Sequence, residues 1–320
     1  MIDAPKGSVS PRHEKYEHLI AAAQKGPPIK VAVAHPCDDV SLRGALEAKR
    51  LGLIEPILVG PVERIRSVAK ASGLELDGVE LVNTEHSHAS AARAVELVAG
   101  GRADALMKGS LHTDEIMGAA VSKEGGIRTT KRFSHCFIMD VPGHPDPLIV
   151  TDAAVNIAPD LDAKVDIIQN AIDLALALGV EPRVAILSAM ETVTAKVPST
   201  IEAAALCKMA ERGQITGGVL DGPLALDNAI SPDAAAIKKI ASPVAGRANI
   251  LVVPDLEAGN MLAKSLSFLA NADAAGIVLG AKVPIILTSR ADSLLSRLAS
   301  CAIAVMVVAA RRKAVASAVH

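Results

Sequence analysis

The chain has 320 residues, enough for one large domain or two ordinary domains with a sizeable buried core. Half of the residues are hydrophobic but only 1% are aromatic, so the core must consist of Ala, Val, Leu and Ile, which suits helices packed on a buried parallel sheet. The formal charge of -2, with acidic and basic residues interspersed, leaves no basic stripe and argues against a nucleic-acid partner.

The cysteines and the chain ends limit the class of protein further. The four cysteines are widely spaced and form no CxxC pair, which predicts reduced thiols rather than a disulfide framework or a zinc site. The polar first 18 residues lack the apolar core of a signal peptide, and the apolar run Cys301–Ala310 is too short to cross a bilayer. We therefore expect a cytoplasmic enzyme or binding protein with no membrane partner.

Strand and helix patterns alternate along the first half of the chain. A helical pattern covers residues 12–25, and from Ile29 onwards strand-like and helix-like segments follow one another, with a Gly near the end of most helices. The segments are KVAVAHP, SLRGALEAKRLG, EPILVG, VERIRSVAKASG, VELVN, SHASAARAVELVAGG, ADALMKG and TDEIMGAAV. This order predicts right-handed crossovers and a mainly parallel sheet.

The rhythm changes at Arg132. The segments RFSHCFIMDVPG and DPLIVTDAAV flank the turn-forming GHPDP and predict a hairpin. A long amphipathic helix follows at Asp160–Leu178, closed by Gly179, and a second α/β unit fills about residues 155–277.

The stretch KVPIILTSRADSLLS, residues 282–296, predicts a strand that runs into a helix beginning at Leu294. Such a junction is a candidate anion site, because the first helical turn has unpaired N–H groups and the positive end of the dipole. Arg290 would add a planar donor fork and Ser289 a hydroxyl. Ser289 and Asp292 also resemble a capping box, and both interpretations stay open.

Other functional motifs are weak. No GxGxxG, GxxxxGK[ST] or GxSxG motif is present, which disfavours a Rossmann dehydrogenase and a serine hydrolase. His86, His88 and the pair His135-Cys136 lack further ligands at a telling spacing, so we expect no metal site. Three glycine-containing loops at predicted strand ends, 108–110, 221–227 and 254–260, indicate either ligand contact or ordinary turns.

Several longer motifs resemble one family. They are SPVAGRANILVVPDLEAGNMLAKSL, the preceding DGPLALDNAIS, the following IVLGAKVPIILTSRADS, and VTDAAVNIAPD at 150–160. Together they are similar to the phosphate acetyltransferase and phosphate butyryltransferase family over roughly residues 30–308, with the N-terminal part and TSRADS closer to the butyryltransferase branch.

The resemblance implies reversible transfer of a short acyl group, acetyl or butyryl, between coenzyme A and inorganic phosphate. It also implies a homodimer and two α/β/α domains with mainly parallel sheets and an active-site cleft between them, similar to isocitrate and isopropylmalate dehydrogenases. The expected domains are residues 1–154 plus 278–320, and residues 155–277. Coenzyme A would be a substrate, and no tightly bound cofactor is expected.

The resemblance places Ser289 and Arg290 on the phosphate and the transition state. The family's base is a carboxylate just beyond this pair, where only Asp292 is available here; if Asp292 caps the helix, its pKa should be low and it should be a poor base. The expected substrate-binding residues are Arg128, Lys108, Ser110, Asp255, Glu257 and Asn260.

Two other functions remain open at this point. A metal-dependent decarboxylating dehydrogenase has a similar architecture, although no clear cluster of metal-binding carboxylates supports it. A non-catalytic protein that binds coenzyme A or an acyl phosphate is the other alternative.

Overall fold

The computed structural model describes residues 14–123, 125–289 and 292–318, which form eleven strands and eleven helices. The strands are β1 (Ile29–Ala34), β2 (Ile54–Gly60), β3 (Glu80–Asn83), β4 (Ala105–Lys108), β5 (Ser134–Asp140), β6 (Leu148–Thr151), β7 (Arg183–Leu187), β8 (Val219–Leu224), β9 (Ile250–Val252), β10 (Asp273–Leu279) and β11 (Ile285–Ile286). The helices are α1 (Glu14–Ala23), α2 (Asp39–Arg50), α3 (Val62–Ser72), α4 (Ser87–Ala99), α5 (Thr113–Val121), α6 (Leu161–Ala177), α7 (Pro198–Glu211), α8 (Leu226–Ile230), α9 (Pro232–Ile237), α10 (Leu256–Leu269) and α11 (Leu294–Ala318).

All eleven strands join one sheet in the order β3-β2-β1-β4-β11-β10-β5-β6-β9-β7-β8. The pairs are parallel except for β11 with β10, β10 with β5, and β5 with β6, which are antiparallel. The mainly parallel α/β fold is thus confirmed, and so is the hairpin predicted after Arg132, which is formed by β5 and β6.

Helices cover both faces of the sheet. Along β1, Val31 and Val33 enter a core shared with α1, α2, α3, α6, α7 and α11, whereas Ala32 and Ala34 enter the opposite core under α4 and α5. A third core lies on that opposite face under α8, α9 and α10. Successive strand residues alternate between two buried faces, which explains why the strands read as continuous apolar runs.

Short side chains fix several helix starts. Asp38, Asp160 and Asp255 precede α2, α6 and α10, and each carboxylate accepts a hydrogen bond from the N–H three residues later, at 2.8 Å in all three cases. These bonds satisfy backbone donors that the helix itself leaves unpaired. At the other end of α6, Gly179 has φ +75°, a left-handed conformation that glycine adopts without strain.

Helix α11 is the one described helix that is long and apolar enough to cross a membrane, over Leu294–Ser317. The apolar run Cys301–Ala310 is shorter than a membrane span, but the helix extends beyond it at both ends, so length alone does not exclude one. In its most apolar window 67% of the residues are buried inside the protein, and α11 packs on α1, α2, α6 and β10. A buried core helix has the same length and composition.

The division into two domains stays a prediction. The strands before residue 155 and those after it belong to the same sheet, with β10 and β11 between β4 and β5. The predicted boundary at residue 278 lies inside β10.

Candidate active site

A cavity of about 800 Å³ lies where β4, β5, β10 and the segment after β11 meet α10. Both predicted domains contribute to its wall, since Lys108 and Leu287 belong to one and Asn260 and Lys264 to the other. The wall combines apolar side chains with a small set of charged ones, as in most binding sites for small molecules. Among the residues that the structure describes, the charged ones on the wall are Lys108, Lys264, Asp273 and Asp292.

Ser289 and Asp292, which lie between β11 and α11, are hydrogen-bonded to each other beside this cavity. The N–H of Ser289 donates to Oδ2 of Asp292 at 2.6 Å, and the N–H of Asp292 donates to the Ser289 carbonyl oxygen at 3.2 Å. Ser289 is exposed and lines the cavity together with Asp292. Arg290, the third predicted catalytic residue, lies outside the described residues.

Ser289 does not cap α11, because this helix begins at Leu294, five residues further on. Ser293 occupies the capping position instead, and its Oγ accepts the N–H of Ser296 at 3.1 Å. The capping-box interpretation of Ser289 and Asp292 is therefore wrong. The hydrogen bond that the Ser289 N–H donates to Asp292 lies before the helix and does not cap it.

Burial raises the pKa of Asp292 above its ordinary value, and this effect exceeds the lowering by the Ser289 N–H, Arg297 and Lys108. The low pKa expected for Asp292 if it capped the helix is therefore not found. A carboxylate with a raised pKa is a stronger proton acceptor, so Asp292 is better suited to act as a base than its sequence position indicated.

Arg297, which was not predicted from the sequence, contacts Thr288 and Ser289 beside the cavity. Its side chain is buried, with Nη1 donating to Oγ1 of Thr288 at 2.9 Å and Nη2 to the carbonyl oxygen of Ser289 at 2.5 Å. Burial lowers the pKa of Arg297, while Asp292 opposes this effect. A cation in the first turn of a helix is unfavourable, because that end of the helix dipole is positive. The position of Arg297 near the start of an apolar helix was therefore the sequence feature that could have indicated a functional role.

The predicted pair Lys108 and Ser110 diverges at the end of β4. Lys108 is buried and lines the cavity, with Nζ 3.5 Å from the carbonyl oxygens of Gly109 and Thr288. Ser110 turns away, donating to the His35 carbonyl oxygen at 2.8 Å and accepting the Cys37 N–H at 3.2 Å. Between them, a Cβ on Gly109 would lie 2.3 Å from the Ala34 carbonyl oxygen, so this glycine permits contact between strands.

Ser110 lines a second crevice of about 380 Å³, which shares Leu111 and His112 with the cavity. This crevice lies over the carboxyl ends of β1 and β4, where the strand order reverses, the usual place for ligands in open α/β sheets. Arg64 is the one permanently cationic side chain among the described residues that line this crevice.

The remaining predicted residues divide into two groups. Asn260 lines the cavity, and its Nδ2 donates to the Ala153 carbonyl oxygen at 3.3 Å. Asp255 caps α10 and Glu257 is exposed in the first turn of that helix, and neither lines the cavity. Arg128 is exposed and lines neither the cavity nor the crevice.

His135 of β5 is the other residue of the cavity wall whose role was not foreseen. It is 1% exposed, and its ring packs edge-on against Phe137 with a centroid distance of 4.3 Å. Within the described ranges, no group of three or more His, Cys, Asp or Glu side chains is arranged to hold a metal ion.

Comparisons with known proteins give consistent results. A family profile described as "Phosphate acetyl/butaryl transferase" matches residues 87–305. Phosphate acetyltransferase of Rhizobium meliloti is 66% identical over 306 residues, covering 95% of this chain and 97% of that protein. Phosphate butyryltransferase of Clostridium acetobutylicum is 41% identical over 279 residues, covering 87% and 93%. The identity to the acetyltransferase is the higher of the two, in contrast to the expected closeness to the butyryltransferase branch.

The solved structures agree in fold. A branched-chain phosphotransacylase from Enterococcus faecalis superposes with a TM-score of 0.76 at 31% identity, covering 88% of this chain and 99% of that one. A 4-hydroxythreonine-4-phosphate dehydrogenase from Klebsiella pneumoniae, with a TM-score of 0.50 at 11% identity, shares the fold alone.

Proposed function

Since this chain belongs to the phosphate acetyl/butyryl transferase family and is an acyltransferase acting on coenzyme A and phosphate, we propose that its reaction takes place in the 800 Å³ cavity beside Ser289 and Asp292. The observation that carries this placement is the half-buried Asp292, which has a raised pKa and shares the cavity wall with the cation of Lys108. A base and a cation on one wall are what acyl transfer to a thiol requires.

The proposed reaction begins with proton transfer from the coenzyme A thiol to Asp292. The thiolate then attacks the carbonyl carbon of the acyl phosphate, a C–S bond forms, and the carbonyl π electrons move to oxygen. When this oxyanion collapses, the bond from carbon to the phosphate oxygen breaks, and phosphate leaves with the bonding pair. The reverse direction starts with attack of phosphate on the thioester.

Lys108, Ser289 and Arg290 stabilise the phosphate and the developing charge in this proposal. Lys108 is buried, so water screens its charge less than at the surface. Arg290 has the guanidinium fork that matches phosphate oxygens. Arg297 positions Ser289, because it donates hydrogen bonds to Oγ1 of Thr288 and to the Ser289 carbonyl oxygen.

The crevice beside the cavity is proposed to receive the diphosphate end of coenzyme A. It adjoins the cavity through Leu111 and His112 and contains the guanidinium group of Arg64. Arg64→Ala should raise KM for coenzyme A severalfold and leave KM for phosphate unchanged. Arg128→Ala provides the comparison, because Arg128 was the residue expected from the sequence; an effect of Arg128 alone would contradict the crevice assignment.

A homodimer in the cytoplasm, with coenzyme A as a substrate and no tightly bound cofactor, completes the proposal. Supporting the dimer, large apolar side chains are exposed along α10 and beside its start, with 62% of Met261, 82% of Leu269 and 75% of Ile157 exposed. The Leu256 N–H donates to the Ile157 carbonyl oxygen, which places Ile157 next to α10. Light scattering after size-exclusion chromatography should give twice the chain mass, and a monomer would contradict this part.

The proposed function is tested by adding phosphate to acetyl-, propionyl- or butyryl-coenzyme A and following free thiol with a thiol reagent. Thiol release that depends on phosphate is the expected result. Its absence with all three thioesters would refute the activity, and thioester breakdown without phosphate would indicate hydrolysis instead.

A further inference from the structure

The strand β5 presents an imidazole to the reaction cavity. Side chains alternate along this strand, so Cys136 and Ile138 enter the core beside α6 and α11, while His135 and Phe137 lie on the opposite face. His135 is 1% exposed, yet it lines the cavity. A polar side chain this deeply buried is normally hydrogen-bonded.

Neither ring nitrogen of His135 has a hydrogen-bond partner among the described residues. Nδ1 is enclosed and unpaired. Outside the sheet ladder, the described contacts of His135 include one hydrogen bond, which Oγ1 of Thr151 donates to the His135 backbone oxygen at 2.9 Å. On the other side of the ring, a Cβ on Gly276 would lie 2.9 Å from Nε2. The absence of a side chain at Gly276 therefore allows β10 to lie close to the Nε2 edge of the ring. Nδ1 is completely enclosed, whereas Nε2, beside Gly276, is not, so Nε2 is the ring nitrogen that can reach the cavity.

The protonation state limits what this ring can do. Burial lowers the pKa of His135 to about 4, and the negative charge of Asp152 only partly opposes this effect. The other charged groups on the described part of the cavity wall are Lys108 from β4, Lys264 from α10, Asp273 from β10 and Asp292. The imidazole is therefore neutral near neutral pH and carries a single N–H.

The position of that proton follows from burial. An N–H enclosed without an acceptor is among the rarest defects in folded proteins, whereas an unpaired acceptor is tolerated more often. The proton is therefore better placed on Nε2, which leaves a bare lone pair on Nδ1. A neutral imidazole in this state is a poor base for a thiol of pKa about 8.5, but it can donate to a developing oxyanion.

We propose that His135 is a further catalytic residue, which donates a hydrogen bond from Nε2 to the carbonyl oxygen of the acyl group during transfer. The inference rests on the proposed function, because it requires the acyl group to lie in this cavity. As the C–S bond forms and the carbonyl π electrons move to oxygen, the oxyanion accepts the His135 N–H. The proton stays on His135 throughout, and the thiol proton goes to Asp292.

Two amide substitutions test the position of this donor. In His135→Gln the amide nitrogen can reach the place of Nε2, whereas in His135→Asn it is limited to the place of Nδ1. In His135→Met the donor is lost and most of the volume is kept. We expect kcat to fall about a hundredfold in the Met and Asn variants and less than about tenfold in the Gln variant, with KM for coenzyme A and for acetyl phosphate within about threefold of the original.

Thermal melting of each variant shows whether it folds, and the Asn variant serves if the Met variant does not. A folded Met or Asn variant with kcat within about threefold of the original protein would overturn the proposal. An equal fall of kcat in all three variants, together with disappearance of an acid limb from the pH profile of kcat, would also overturn the proposal and would indicate that His135 acts as a base. If the unsubstituted protein shows no phosphate-dependent thiol release at all, the proposed function itself fails, which is a different result.

Discussion

Replacing Asp292 with asparagine separates a carboxylate that accepts the thiol proton from one that only accepts the hydrogen bond of the Ser289 N–H. Asparagine keeps an oxygen that can accept the Ser289 N–H, a bond of 2.6 Å in the structure, but it cannot take up a proton at neutral pH. We expect kcat to fall at least about a hundredfold, which corresponds to about 2.7 kcal/mol of barrier, the lower end of what a positioned base contributes.

The same substitution has a defined effect on stability. Because burial raises the pKa of Asp292 in the folded protein above its ordinary value of 3.8, the folded state binds more protons than the unfolded state in the window just above that value. The original protein therefore loses stability relative to Asp292→Asn as pH rises through this window. Near neutral pH the variant should melt at the same temperature as the original protein or higher, since it no longer buries a carboxylate charge.

The assay follows thioester formation from acetyl phosphate and coenzyme A over a range of pH. If Asp292 is the base, kcat/KM of the variant should rise about tenfold per pH unit until the thiol ionises by itself near pH 8.5, whereas the original protein should change less. Glu63→Gln, a change of the same kind at a side chain that is 87% exposed, controls for loss of charge alone. A folded Asp292→Asn variant with near-normal turnover would refute the base, and a lowered melting temperature with retained rate would show a purely structural role.

Three further substitutions test the parts around this carboxylate. Arg290→Ala should lower turnover at least about a hundredfold by removing a charged donor to phosphate or oxyanion, and near-normal turnover in a folded variant would contradict that role. Arg297→Met should lower kcat at least about tenfold, because two hydrogen bonds to Thr288 and Ser289 are lost. Unchanged kcat would show that Ser289 does not need Arg297 to keep its position. Gly276→Ala should lower the free energy of unfolding in urea by about 1–3 kcal/mol, because its Cβ would lie 2.5 Å from the Leu287 carbonyl oxygen. Gly118→Ala, whose Cβ would have nothing within 4 Å, should not lower it, and equal effects would refute the packing argument.

Elements set by local patterns were predicted well from the sequence. The β5–β6 hairpin was marked by GHPDP between two apolar segments, and α6 by Asp160 before it and Gly179 after it. The start of α11 at Leu294 also agrees with its pattern. In each case the signal lies within a few residues of the feature, which is the range over which capping and turn chemistry act.

The state of Asp292 could not be predicted in this way. Its spacing from Ser289 matched a cap, and the hydrogen bond between the two residues does form, but both residues precede the helix, which begins at Leu294. The pKa of Asp292 depends on how much water the surrounding chain removes, and this burial raises it despite the nearby cations. Local spacing carries no information about that burial.

The cavity itself depends on the order of strands in the sheet. Insertion of β11 beside β4 brings Lys108 Nζ to 3.5 Å from the Thr288 carbonyl oxygen, although the two residues are 180 positions apart. The antiparallel pairing of β10 with β5 likewise sets Gly276 against the ring of His135. A histidine next to a cysteine in the sequence indicated at most a metal ligand or a packed side chain. The neighbouring strand places a glycine beside Nε2, and only Nδ1 of the ring is completely enclosed. The proposed hydrogen bond from a neutral histidine to the substrate depends on that difference.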